Sequence, residues 1–240
     1  MKDRLMKLEY IASTCLFMFL AILFFFVLQY SFADNTLYMC NPRTGVGFTI
    51  ARPGNYMGLF AGFIAYALSL LFLFFPRVRH NLDWLMRFTH ELTHTLVALL
   101  FFGKIREFVV RDRECYVSYQ AGPIGYVPIT LSPYCIPIYT FMLFPFRFAG
   151  DSYYMIVFDF LIAFSLSFHI HSYIKQTRLS QDDIANCGKV RSIAFITFVN
   201  LWVLSLVLAT PRSGVVNAIS RVCWDYPMMV CCSLLEWFRT

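Results

Sequence analysis

The chain has 240 residues, of which 59% are hydrophobic, 19% aromatic and only 14% charged, with a formal net charge of +6. A soluble chain of this size carries about a quarter charged residues, so the composition excludes an ordinary soluble domain and points to an integral membrane protein embedded in a lipid bilayer. The modest excess of cations is what basic residues at membrane edges produce, and it calls for no nucleic acid as partner.

Met1 to Glu9 is short and basic, and Tyr10 to Phe32 is a first apolar span of about 23 residues, enough to cross a bilayer with some tilt. That apolar part exceeds the ~7–15 residues of a signal peptide, so it is expected to be a retained anchor. Ala33 to Tyr56 is a polar connector rich in glycine and proline. Met57 to Phe75 is the second span, closed by Pro76-Arg77-Val78-Arg79-His80. A third span, Leu82 to Phe102, is capped by Asn81 or Asp83 and ends near Gly103. Two β-prone runs follow, Lys104 to Val110 and Cys115 to Tyr119, around a charged tip, Arg111-Asp112-Arg113-Glu114. They predict a hairpin, with an amphipathic connector as the plainer reading.

Gly122 to Phe148 is apolar but carries Pro123, Pro128, Pro133, Pro137 and Pro145, which predicts a bent or broken helix beside a hydrated cavity. Tyr153 to Ile174 is the fifth span and contains Asp159, His169 and His171. Ser180-Gln181-Asp182-Asp183 has the pattern of a helix start, with the acids serving the first turn and Gly188 closing a short helix. Ile193 to Ala209 is the last clear span, with Asn200 at its middle, and Val215 to Thr240 is an amphipathic tail suited to an interface. The expected fold is therefore an all-α polytopic membrane protein with about six transmembrane helices and a small β-hairpin after the third. It forms one domain over residues 1–240, with a core at about 81–210. The eight cysteines show no C-x-x-C spacing and read mostly as small buried apolar residues.

Chemistry concentrates in the third span, at His90-Glu91-Leu92-Thr93-His94. Four residues apart on a helix, His90 and His94 sit about 40° apart in rotation and one turn apart in height, the spacing by which two imidazoles meet one tetrahedral Zn2+. Glu91 directly follows the first ligand and can act as general base on a zinc-bound water. A third ligand is required, and the fifth span offers Asp159 or His169. One crossing separates spans three and five, so they run the same way. His90 then lies about 12 Å into its span, Asp159 about 9 Å and His169 about 24 Å. Depth favours Asp159, with His169 as the alternative. Asn200 either bonds a neighbouring helix or positions a substrate carbonyl. Val109 and Val117 are candidate substrate-binding residues, on strands whose edge could hold an extended peptide by β-augmentation.

With these residues in place, the chain resembles the site-2 protease family of intramembrane zinc metalloproteases over roughly Arg87 to Asp159, and more loosely to Asn200. The resemblance rests on the His90 to His94 motif, on the stretch Leu100 to Phe108 that turns into a hairpin, and on Ala121-Gly122-Pro123 after it. The family's third ligand is an Asp in a Leu-Asp-Gly element, whereas here the sequence is Val157-Phe158-Asp159-Phe160, lacking both the Leu and the Gly. The resemblance implies hydrolysis of peptide bonds in membrane-spanning protein substrates and residence in a cell membrane of bacterial type. It also implies a cytoplasmic hairpin and a cytoplasmic Lys175 to Arg191 loop. Two rival readings stand beside it. One is a transporter or channel using His90, Glu91, His94 and Asp159 as a proton or cation relay. The other is a non-catalytic membrane scaffold, which would have no need of Glu91.

Overall fold

The computed structural model describes residues 2–37, 56–111, 114–147 and 152–237. It is mostly helical, at 84%, with one small two-stranded antiparallel sheet. In chain order the elements are α1 (Lys2–Leu37), α2 (Met57–Ser69, extended by a 3-10 turn over Leu70–Phe74), α3 (Pro76–Leu100), β1 (Lys104–Val110), β2 (Cys115–Gln120), α4 (Tyr126–Leu131), α5 (Ile138–Arg147), α6 (Ser152–Gln176), α7 (Asp182–Cys187), α8 (Lys189–Ser220) and α9 (Tyr226–Trp237). Most of the polar connector lies outside the described residues.

Among the described residues, four helices are long and apolar enough to cross a membrane: Met6–Gln29, Met57–Phe74, Tyr154–Gln176 and Lys189–Pro211. A fifth is reached only by counting α4 and α5 as one broken span, bent by 87°. The helix bearing the histidine motif is not among them, which corrects the expected third span. Pro76 opens it instead of closing α2, its missing N–H costing nothing at a helix start. That start adds Arg77, Arg79 and His80 to Asp83, Arg87, His90, Glu91 and His94, so the helix is amphipathic. It ends in a Schellman turn: Phe102 is left-handed (φ 57), and the Gly103 amide donates to the Ala98 carbonyl at 2.7 Å.

Helix order in space follows from packing. On α2, Gly58 lies against Ile156 and Asp159, Gly62 against Phe160 and Ala163, and Tyr66 against Phe164, so α2 and α6 run the same way. Small residues permit this close approach: a Cβ on Gly62 would sit 2.3 Å from the Phe160 carbonyl oxygen. By contrast, α3 runs against α6. Asp83, near its start, is ion-paired with Lys175 at the end of α6, and Met86 packs with Phe168. The Pro-rich stretch climbs back along α3, with Gly125 against Phe101, the Ile129 carbonyl at His94 and the Tyr134 ring at His90, before α5 turns away. Its prolines thus break the helix, as the sequence predicts, and the break reverses the chain.

The predicted hairpin forms, pairing Ile105 with Tyr119, Phe108 with Val117 and Val110 with Cys115, with a bulge between Ile105 and Glu107. Phe108 meets Phe88 edge-on and fixes the hairpin to α3. Along the tail, Ala218, Val222, Tyr226 and Val230 bury against Phe24 and Val27 of α1.

Candidate metal centre

Two turns of α3 present His90 and His94 on one face, their rings 5.0 Å apart. His94 is buried, and its Nδ1 lies 2.8 Å from the Ile129 carbonyl oxygen. A carbonyl accepts only, so Nδ1 carries the proton and Nε2 presents its lone pair to the site, as in a metal-ligating imidazole oriented by its other nitrogen. The ring also lies nearly parallel to Tyr119 of β2.

The third group is Asp183. Its Oδ2 lies 3.7 Å from Nε2 of His90 and 3.7 Å from Nε2 of His94. Among the described residues, this is the group of His, Cys, Asp and Glu side chains whose ligand atoms converge closely enough, within 4.8 Å, to hold one ion. A tetrahedral zinc with bonds of about 2.0–2.1 Å places its ligand atoms about 3.4 Å apart, within a few tenths of an ångström of the two 3.7 Å His–Asp separations. Donor chemistry fits as well. An imidazole lone pair faces a carboxylate oxygen, an arrangement that calls for a cation between them. Burial pushes the Asp183 pKa up, but its polar neighbours, the His90 and His94 rings and the Tyr134 hydroxyl, outweigh burial and hold the carboxyl well below its ordinary range. The group is therefore an ionised ligand at neutral pH.

Asp159, the expected ligand, is elsewhere. Its carboxylate is taken by Arg147, with Nε to Oδ1 at 2.5 Å and Nη2 to Oδ2 at 3.1 Å, in a buried bidentate pair between α5 and α6. Asp159 faces α2 and α5, against Gly58 and Arg147, while α6 as a whole runs antiparallel to α3. The same geometry brings the chain after α6 to the histidines, where Asp183 enters from α7. Gln181 rather than Ser180 precedes that helix and makes no side-chain cap bond, while Asp182 and Asp183 stand in its first turn as expected. Gly188 does close the helix, at φ 86.

His169, the alternative ligand, is buried in α6 and its Nε2 has no hydrogen-bond partner among the described residues; it is not in the converging group. His171 is tied through Nδ1 to the Tyr66 hydroxyl at 2.8 Å. Asn200 donates to the carbonyls of Tyr134 (3.2 Å), in the turn before α5, and Ile196 (3.0 Å), in its own helix.

Glu91 is buried and lies beside the backbone of Val117 in β2, while Val109 is on β1, paired with Tyr116. Beside Glu91 and His90 opens a cavity of about 510 Å³, whose walls include Arg87, Cys115, Lys175 and Arg178. Sequence reading did not bring Asp183 or Tyr134 to the histidines; the Tyr134 hydroxyl donates to Asp183 Oδ2 at 3.0 Å. No family model matches the chain, and neither the curated proteins nor the solved structures contain a match.

Proposed function

We propose that the chain is a multi-pass membrane zinc metalloprotease of the site-2 type, hydrolysing peptide bonds of membrane-spanning substrates. The observation that carries this reading is the convergence of His90 Nε2, His94 Nε2 and Asp183 Oδ2 beside Glu91. Two imidazoles and one carboxylate form a donor set suited to zinc, with the fourth position left for water or substrate. Zinc bound there supplies Lewis-acid polarisation of a carbonyl and acidifies a coordinated water.

The rest of the chemistry belongs to the chain. Glu91, the residue after the first ligand, takes the proton of the attacking water and returns it to the leaving amine. The outer edge of β2 holds the substrate in extended form. This matters because a helical peptide bond is shielded by its own hydrogen bonds and must be unwound before attack. The cavity lined by Arg87, Lys175 and Arg178 gives polar access to the reacting groups. Apolar side chains exposed on α1 and α2, such as Phe19, Ile22, Phe60 and Ile64, suit contact with lipid.

A proton or cation relay through His90, Glu91, His94 and Asp159 is less favoured, since Arg147 occupies Asp159. A scaffold role leaves Glu91 without a purpose. The test is Glu91→Gln, assayed on a model transmembrane peptide in detergent or proteoliposomes. Zinc content is expected to stay at the wild-type level while cleavage falls by about 10²–10⁴-fold. Normal cleavage by this variant would rule out the hydrolytic mechanism.

A further inference from the structure

We propose that Tyr134 is a positioning residue of the metal centre, its phenol holding Asp183 in the rotamer that turns Oδ2 toward both histidines. The inference rests on the metal-centre reading above. Two of the three ligands lie on one helix and are arranged relative to each other by its geometry. The third has no such support. Asp183 comes from a six-residue helix, and its side chain is 34% exposed, so solvent competes for the carboxylate.

Tyr134 supplies the missing constraint. It lies in the turn between α4 and α5, where the chain bends by 87°, and it is 1% exposed. Its ring stands edge-on to His90, with centroids 5.3 Å apart and planes at 83°. Its hydroxyl donates to Asp183 Oδ2, the same oxygen that faces the two Nε2 atoms. A carboxylate oxygen has two lone-pair directions; with one given to the phenol, the other is aimed between the imidazoles. The turn itself is anchored by Asn200, whose amide donates to the Tyr134 carbonyl. A chain of contacts thus runs from α8 through the bend to the ligand on α7, a partner of the kind that tunes metal sites by orienting their ligands.

The test is Tyr134→Phe in the full chain in detergent, which keeps the ring and its packing and removes only the hydroxyl. Zinc affinity is read by competition with a chromophoric chelator, and ligand geometry by the visible absorption of the Co2+-substituted protein. Affinity is expected to fall about 10–100-fold, with an altered cobalt spectrum. Asn200→Ala, which leaves the phenol untouched, is expected to weaken zinc by a smaller factor and serves if Tyr134→Phe does not fold. Wild-type zinc affinity together with a wild-type cobalt spectrum in the variants would overturn the role of Tyr134 and leave the metal centre standing. If the wild-type chain itself takes up neither zinc nor cobalt, the metal-centre reading fails, and this inference with it.

Discussion

Replacing Asp183 by alanine is expected to strip the metal from the purified protein and abolish peptide cleavage, a larger loss than Glu91→Gln produces. Asp183 supplies the one anionic group in the converging set. Without it, two imidazoles on one helix are left to hold the ion, below the three protein ligands of an open catalytic site. The loss should exceed the ~10–100-fold typical of removing an outer partner of a ligand. Metal content after dialysis against a weak chelator provides the measurement. Because Asp183 sits on a short peripheral helix, helical content by circular dichroism should change little. Retention of zinc by Asp183→Ala would remove this residue from the centre.

Asp159→Ala is expected to have the opposite signature: a protein that is hard to keep folded but still binds zinc. The Arg147–Asp159 pair is buried, both residues being 3% exposed, and the guanidinium makes two bonds to the carboxylate. Removing one member leaves an uncompensated buried charge, which costs about 3–5 kcal/mol. The double change Asp159→Leu with Arg147→Met removes both charges and should recover most of the stability. Thermal unfolding in detergent measures the loss, and the metal content of the fraction that remains folded measures the site. Loss of zinc without loss of stability would return Asp159 to the ligand set.

These two aspartates mark what could and could not be read from the chain alone. The His90–Glu91–His94 constellation is local, fixed by helical periodicity, and so legible. The hairpin is local too: β-prone runs around a charged tip give strands at Lys104–Val110 and Cys115–Gln120, close to the expected limits. The apolar spans at α1, α2, α6 and α8 follow from hydrophobic length; of the about six expected, the motif helix is polar on one face and the proline-rich segment is broken into α4 and α5. Choosing a third ligand required knowing the direction of α6 relative to α3, which is a property of the whole chain. The signal was present in the prolines from Pro123 to Pro137. They predict the bend but not that the segment returns along α3 before α5 begins. Asp183 was hidden by a second ambiguity: an acid in the first turn of a helix looks the same whether it answers the helix dipole or a metal.

The most direct test of the metal centre is the zinc content of the wild-type chain purified in detergent, measured by elemental analysis beside the His90→Ala, His94→Ala double variant. About one zinc per chain is expected for the wild type, as for a single site with three protein ligands, and essentially none for the double variant. A wild-type chain without zinc, or zinc equal in both proteins, would contradict it.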